Sequence, residues 1–189
     1  MQELIEDLLK YSRAKSSERI FENVDLNLLL NEVKLDFEEV IHQKKAIIEA
    51  TNLCNASIIP FQFRQLLQNL ISNSLKFSRR NTPPHITLKN EIATGNELNN
   101  AWLQERQEKL LPQKKYCHIT YTDNGIGFDP QYKDRIFEVF QRLHSFDEYT
   151  GTGIGLAICK RIIENHNGII TATGKLKKGA QFDIYIPVD

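Results

Sequence analysis

The stretch YCHITYTDNGIGF, from Tyr116 to Phe128, carries the strongest fold signal in this chain. Its first seven residues alternate between apolar and polar side chains, which predicts a β-strand with one buried face. The strand runs directly into a turn in which Gly125 and Gly127 permit backbone conformations that other residues avoid, and let a ligand approach closely. This stretch therefore predicts a sheet strand that ends at a binding site.

Asp123 stands at the point where this strand meets the turn. Its carboxylate could accept a hydrogen bond from the exocyclic amine of a base, and such a charged bond contributes about 1.5–3 kcal/mol. The bond also discriminates, because guanine presents a carbonyl oxygen there and would leave the carboxylate unpaired. The structural alternative is a common β-turn of the Asp-Asn-Gly type.

A second glycine-rich turn, GTGIGL from Gly151 to Leu156, opens a predicted helix that extends to His166. Backbone N–H groups at a helix N-terminus that no side chain shields form a ready anion site. The glycines alternate strictly, unlike those of the dinucleotide-binding GxGxxG motif, and no Lys-Ser/Thr pair follows as in a P-loop. The tract before this turn, Phe137–Thr150, lacks core periodicity and could fold as a lid. Arg142 in it is a candidate phosphate contact, and an exposed arginine without a specific role fits equally well.

An upstream helix, predicted for Gln62–Phe77, places Asn69, Asn73 and Lys76 on one face, because they are spaced four and three residues apart. That face lies opposite a leucine-rich stripe. Asparagine is a weak helix former, so two of them beside a lysine suit oxygen coordination of Mg²⁺ and pairing with phosphate. A solvated polar face is the plain alternative. Together with the two glycine turns, this face predicts a nucleotide pocket.

The remaining periodicity predicts an α+β fold, with helices on one face of a mixed, mostly antiparallel sheet. Helical patterns cover residues 1–18, Pro130–Val139 and an insert at Glu97–Leu111, in which Trp102, Leu103 and Leu110 are apolar. A further helix is predicted after Asp25, which would cap it. The buried side of that helix is predicted as Leu28, Leu29, Val33, Phe37, Val40 and Ile41. Strand patterns cover Ala46–Ala50, Ala56–Ile59, Ile86–Ile92, Tyr116–Thr122, Ile169–Thr173 and Gln181–Ile186.

The composition fits a soluble domain of 189 residues with one core, and its formal net charge of zero argues against nucleic acid or an anionic membrane as partner. Cys54, Cys117 and Cys159 are odd in number and lack CxxC spacing, so we expect reduced, mostly buried thiols in a cytoplasmic protein. The sequence has no apolar run of the ~20 residues that span a bilayer. The parent protein could still be anchored to a membrane.

The ordered motifs resemble those of sensor histidine kinases, in the type coupled to PAS or phytochrome sensors. Asn69–Phe77 (NLISNSLKF) is similar to the N box, Asp123–Phe128 to the G1 box, Phe137–Phe140 (FEVF) to the F box, Gly151–Leu156 to the G2 box, and Gly179–Pro187 (GAQFDIYIP) to the last strand. The resemblance runs from about Asp25 to the C-terminus.

This resemblance implies the Bergerat ATP-binding fold, a two-layer α/β sandwich, with ATP and Mg²⁺ as cofactors. It implies that Asn73 holds Mg²⁺, that Lys76 contacts phosphate and that Asp123 binds the adenine amine. Asn69, Asn73, Lys76 and Arg142 would form the catalytic set. The nucleotide would be lined by Asp123, Gly125, Gly127, Phe137, Gly151, Thr152, Gly153, Gly155 and Leu156.

One part of the family pattern is missing. The kinases phosphorylate a histidine that an acidic residue usually follows, and none of the five histidines here (His42, His85, His118, His144 and His166) has that neighbour. Met1–Arg13 resembles the end of the second dimerisation helix. We therefore expect residues 1–19 to be the end of that helix and a linker, and residues 20–189 to be the catalytic domain of a homodimeric parent. The expected partners are a histidine-bearing dimerisation domain and a response regulator.

Two alternatives stay open from the sequence. The same ATP-binding fold serves ATP-hydrolysing machines, which generally place a glutamate one helical turn before the metal asparagine as a general base. Here that position is Asn69, which cannot take a proton, so the pattern favours phosphotransfer over hydrolysis. A regulatory module that binds nucleotide without catalysis is the second alternative, and such a module would be expected to lose one of the boxes.

Overall fold

The computed structural model describes residues 20–98, 110–141 and 151–188. Its elements, in chain order, are β1 (Glu22–Asp25), α1 (Leu26–Asp36), α2 (Glu38–Lys44), β2 (Ile47–Ala50), β3 (Asn55–Ile58), α3 (Pro60–Lys76), β4 (His85–Thr94), α4 (Gly95–Leu98), β5 (Lys115–Asp123), α5 (Gly155–Asn165), β6 (Ile169–Lys175) and β7 (Gly179–Val188). Two short 3₁₀ turns, Pro130–Tyr132 and Arg135–Phe137, stand where one helix was predicted. The helix predicted for residues 1–18 lies outside the described residues.

Five strands form the main sheet in the order β2-β4-β5-β7-β6. β2 pairs with β4 in parallel, and the other neighbours are antiparallel. All six predicted strands are present, so the mixed, mostly antiparallel sheet is confirmed. β1 was not predicted, and it pairs with β3 in a separate two-stranded ribbon.

The core fills the space between one face of the sheet and helices α1, α3 and α5. Tyr121 in β5 lies opposite Leu88 in β4 and Phe182 in β7, and all three side chains are buried on this inner face. Successive strand residues point to opposite faces, so His118 and Thr120 belong to the outer face. Helices on one face of the sheet, the predicted α+β arrangement, are therefore confirmed.

Helix α3 begins with Pro60 at its first position, where the missing N–H costs nothing. Its whole predicted apolar stripe is buried: Phe63, Leu66, Leu67, Leu70, Ile71 and Leu75. Near the C-terminal end of α3, the Leu75 carbonyl has no N–H partner within the helix. It accepts a 2.6 Å hydrogen bond from Nζ of Lys44 in α2. The apolar stripe thus fixes which face of α3 is left for polar side chains.

The helix that was predicted after Asp25 is interrupted. Asp25 caps α1 as expected, since its Oδ1 accepts a 2.8 Å hydrogen bond from the Asn27 N–H. The helix ends at Phe37, however, and α2 starts a new axis. The predicted burial of Leu28 is wrong, because the buried stripe of α1 consists of Leu26, Leu29, Leu30 and Val33 and leaves Leu28 63% exposed. The predicted burial of Val40 is also wrong, because Val40 lies in α2 beyond the break and is 37% exposed.

A small second cluster lies on the outer side of the sheet. It contains Leu98 and Leu110, at the two described ends of the predicted insert, with Tyr116 and Tyr185 from the sheet. The described part of the insert includes the short helix α4, and the amphipathic helix predicted for Glu97–Leu111 stays a prediction because most of it lies outside the described residues. Trp102 and Leu103 lie outside the described residues.

The prediction of reduced cysteines is wrong for two of the three. Cys54, before β3, and Cys117, in β5, form a disulfide across 63 residues of sequence. Such a separation leaves no spacing motif, so the sequence gives no sign of the pairing. Cys159 is free and buried, and burial raises the pKa of its thiol to about 12.

Within the described ranges, none of the helices combines the length and apolar character that a membrane span requires.

Candidate functional site

The polar face of α3 forms one wall of the candidate site. Asn69, Asn73 and Lys76 are half-buried, in contrast to the fully buried stripe behind them. Lys76 places its Nζ 4.7 Å from the centroid of the Phe77 ring, which holds a cationic side chain near the end of the helix. This wall therefore offers two amides and one ammonium group on a rigid element.

The turn before α5 closes against this wall. The Asn69 side-chain amide donates a 3.3 Å hydrogen bond to the Gly155 carbonyl. A Cβ atom on Gly151 would lie 2.6 Å from Lys76 Nζ. The φ angle of Gly151 is +141°, a value that residues with a side chain rarely adopt. The second glycine turn and the polar helix, which are about 80 residues apart in the chain, are thus brought into contact.

Helix α5 starts without a side-chain cap. Ile154 occupies the N-cap position and makes no side-chain hydrogen bond to the first turn. The first N–H groups of a helix have no intrahelical partner, and they carry the positive end of the helix dipole. The N-terminus of α5, with Gly155 against Asn69, therefore suits an anion.

Asp123 forms the floor at the end of β5, and protein donors hold it in place. Its Oδ1 accepts hydrogen bonds from the backbone N–H groups of Gly125 (2.8 Å) and Ala180 (3.3 Å). Its Oδ2 accepts one from the Ser74 hydroxyl at 3.1 Å. Burial raises the pKa of Asp123, and these three hydrogen bonds oppose that rise because they favour the charged form.

The first glycine turn is packed against protein backbone. A Cβ on Gly125 would lie 2.7 Å from the Phe77 carbonyl oxygen, and the next residue, Ile126, donates a 2.9 Å hydrogen bond to that same oxygen. Gly127 has a φ of +65° and lies against the Lys175 and Gly179 carbonyls. The atoms that lie too close to Gly125 and Gly127 for a side chain to fit there therefore belong to this protein, where the sequence had suggested a ligand.

Asn73 is the candidate metal ligand on this wall. Its side-chain amide is half-buried and has no hydrogen-bond partner among the described residues. A half-buried amide oxygen is one of the groups that hard cations prefer. The residue therefore fits a site at which its amide oxygen would hold a Mg²⁺ ion.

The other predicted site residues occupy different settings. Phe137 is buried in the core, with its ring centroid 6.4 Å from that of Phe182 in an edge-on contact. Leu156 is half-buried and packs against the same core. Thr152 and Gly153 are half-buried in the turn before α5. Arg142 lies outside the described residues.

Two side chains that sequence reasoning missed lie beneath Asp123. They are Ser74 in α3 and Tyr121 in β5, whose hydroxyl groups are 2.9 Å apart. A signal was present, because Ser74 follows Leu70 and Ile71 at helical spacing and is therefore a polar residue on the buried stripe. A buried hydroxyl needs a partner, which would have pointed to a polar group in the facing strand.

The chain was compared with protein families and with individual proteins. Residues 59–189 match the family described as histidine kinase-, DNA gyrase B- and HSP90-like ATPases. Over its whole length the chain is 39% identical to cyanobacterial phytochrome A of Nostoc sp., of which it spans 22%. Over 98% of its length it is 30% identical to the adaptive-response sensory-kinase SasA of Prochlorococcus marinus, of which it spans 45%. The chain thus corresponds to less than half of either relative.

Solved structures share its fold. Full-length ShkA in complex with AMPPNP superposes with a TM-score of 0.71 at 24% identity, over 97% of this chain and 35% of that one. The histidine kinase ThkA in complex with the response regulator protein TrrA superposes with a TM-score of 0.68 at 20% identity, over 98% of this chain and 46% of that one.

Proposed function

Because this chain belongs to the family of histidine kinase-, DNA gyrase B- and HSP90-like ATPases, we propose that it is the ATP-binding catalytic domain of a sensor histidine kinase. Its likeness to a sensory kinase and to a phytochrome across nearly its whole length supports the kinase branch of that family. The observation that carries the proposal is the convergence of α3 with the second glycine turn, where Lys76 lies at Gly151 and Asn69 bonds to Gly155.

The proposed substrate is ATP, whose adenine amine donates to Asp123. Lys76 and the N-terminus of α5 offset the charge of the phosphates, and Asn73 holds Mg²⁺. When bound, Mg²⁺ supplies neutralisation of phosphate charge. Catalysis by this chain then rests on orientation and fixed positive electrostatics, as is general for phosphoryl transfer. The AMPPNP bound to ShkA is consistent with this use of the fold.

The γ-phosphate is proposed to pass to a histidine on a dimerisation domain, and from there to a response regulator. The complex of ThkA with its response regulator supports that relay for a protein of this fold. Residues 1–19 are proposed to be the end of a dimerisation helix and a linker, with residues 20–189 as the catalytic domain. The parent would be a homodimer that presents the acceptor histidine to this domain.

Hydrolysis is disfavoured by Asn69. The residue stands one turn before Asn73, where a hydrolase of this fold needs a base, and an amide cannot accept the proton of an attacking water. Its side chain instead donates to the Gly155 carbonyl, which ties α3 to the second glycine turn. A non-catalytic module is disfavoured because all four boxes are present.

Calorimetric titration with ATP and with GTP, each with and without Mg²⁺, tests the proposal. We expect ATP to bind more tightly than GTP, and Mg²⁺ to strengthen ATP binding. The Asn73→Ala variant should lose most of the Mg²⁺ effect, whereas Asn31→Ala, the same change at an exposed position of α1, should keep it. Absence of ATP binding by the unmodified chain would contradict the proposed function. An unchanged Mg²⁺ effect in Asn73→Ala would remove only the metal role of that residue.

A further inference from the structure

Ser74 is a hydroxyl residue in the buried stripe of α3. Its relative exposure is 4%, and its neighbours along the stripe are leucine and isoleucine. A buried hydroxyl without partners is costly, and alanine would be the stronger helix former at this position. The Ser74 hydroxyl has partners on the facing strand, with Tyr121 OH at 2.9 Å and Asp123 Oδ2 at 3.1 Å.

The direction of these two hydrogen bonds follows from the groups involved. An ionised carboxylate only accepts, so the single Ser74 proton goes to Asp123. Tyr121 is fully buried, and burial raises its pKa well above the ordinary value, so it keeps its proton and donates it to the Ser74 oxygen. The result is a directed chain from Tyr121 through Ser74 to Asp123.

This chain of hydrogen bonds limits the number of acceptor positions that Asp123 can offer to a ligand. A carboxylate has about four acceptor positions, two on each oxygen. Oδ1 already accepts from the N–H groups of Gly125 and Ala180, and Oδ2 accepts from Ser74. Counting donors from the described residues only, one acceptor position, on Oδ2, is left over.

We propose that Ser74, supported by Tyr121, is the positioning residue that makes Asp123 select a base with an exocyclic amine. This inference rests on the proposed function, since it concerns the base of the nucleotide. The Ser74 bond fixes the carboxylate plane and keeps Asp123 an acceptor, so that one N–H donor fits and a carbonyl oxygen is refused. Without that bond, a protonated Asp123 could donate to the carbonyl of guanine.

The Ser74→Ala variant removes the hydroxyl and leaves the helix intact. We expect the preference for ATP over GTP to fall by about tenfold, the lower end of the range for one hydrogen bond to a charged group, because the lost bond acts on the base only through Asp123. Tyr121→Phe should lower the preference less, because Ser74 can still donate to Asp123. Ser74→Thr, which keeps the hydroxyl, should restore the preference, and Ser72→Ala, at an exposed position of the same helix, should leave it unchanged.

The pH dependence of ATP binding separates positioning from packing. The Ser74 bond opposes the burial that raises the pKa of Asp123, so its loss should raise that pKa further. The pH at which ATP affinity is half lost on acidification should then move upward in Ser74→Ala and return in Ser74→Thr. The titratable group that faces Asp123 through Ser74 is Tyr121, which stays protonated throughout.

The outcomes distinguish this inference from the proposed function. If the unmodified chain binds ATP and GTP equally, the proposed reading of the base fails. If it prefers ATP but Ser74→Ala keeps both that preference and the acid midpoint, the positioning role of Ser74 alone is overturned. Should Ser74→Ala fail to fold by circular dichroism, Ser74→Cys decides, because a thiol is only a weak hydrogen-bond donor and an unchanged preference and midpoint in that variant would overturn the positioning role of Ser74.

Discussion

At the scale of single residues, Asp123 carries the most chemical information. Replacing it with asparagine keeps the shape and substitutes an N–H₂ group for an acceptor oxygen, so that a donor can face the adenine amine. We expect Asp123→Asn to lower ATP affinity by roughly ten- to a hundredfold, the loss of about 1.5–3 kcal/mol for a charged hydrogen bond. Calorimetry would measure the loss, with the exposed Asp36→Asn as control. Unchanged affinity would remove Asp123 from the site.

The same residue predicts a pH dependence. Binding of the amine needs the ionised carboxylate, and burial raises the pKa of Asp123. ATP affinity should therefore decline on acidification at a pH above the ordinary range for an aspartate, and Asp123→Asn should lack this decline. The sequence pointed to Asp123 because it ends a strand at a glycine turn. It did not reveal the hydroxyl chain beneath, since contacts between α3 and β5 depend on tertiary packing.

At the scale of elements, the strongly periodic segments were predictable. Helix α3 and strands β4–β7 each bury one continuous face, and a single periodicity describes each of them. Helices α1 and α2 were not predictable as two separate helices, because a single apolar pattern spans the break at Phe37. Strand β1 has four residues with no buried member, so it leaves no alternating signal. The convergence of the polar face of α3 with the turn before α5 follows from the family resemblance and not from either segment alone.

The outer face of the sheet holds a cluster of ionisable side chains from three neighbouring strands. His118 in β5 lies between Glu91 of β4 (Nδ1 to Oε1, 3.1 Å) and Asp183 of β7 (Nε2 to Oδ1, 2.9 Å), and it stacks on Tyr185 at 4.4 Å. Burial alone would lower the pKa of His118, but hydrogen bonds and charge from Asp183 and Glu91 raise it. When it is protonated, the His118 ring therefore donates from both nitrogen atoms and joins three strands.

This cluster should make stability depend on pH. A raised pKa in the folded state adds stability that is complete below the ordinary value of 6.5 and is lost as the pH rises through the folded value. Urea unfolding between about pH 5.5 and 8.5 should show this loss in the unmodified chain. His118→Gln should flatten the profile, and His42→Gln, at an exposed position of α2, should not. A profile in His118→Gln equal to that of the unmodified chain would contradict the role of the cluster.

At the scale of the whole molecule, the chain should act on a separate acceptor. We expect slow ATP turnover when it is alone, since Asn69 supplies no base, and phosphorylation of an added dimerisation domain that carries the acceptor histidine. Radiolabelled ATP and acid-labile phosphate on the acceptor would measure both. An acceptor with its histidine replaced is the control. Rapid phosphate release without an acceptor would favour the hydrolase reading.

The candidate site is formed by two sets of contacts between elements. Asp123, Gly125 and the Ala180 N–H belong to β5, its following turn and β7, which Ile126 links to the end of α3 through the Phe77 carbonyl. Asn69, Lys76 and Gly151 belong to the contact between α3 and the start of α5. Under the proposed function, a protein engineer could change the base that is accepted at Asp123 and its following turn without altering Asn69, Lys76 or Gly151, although Ser74, which bonds to Asp123, shares α3 with the phosphate-binding residues. A domain altered in this way would let one signalling pathway depend on a nucleotide other than ATP.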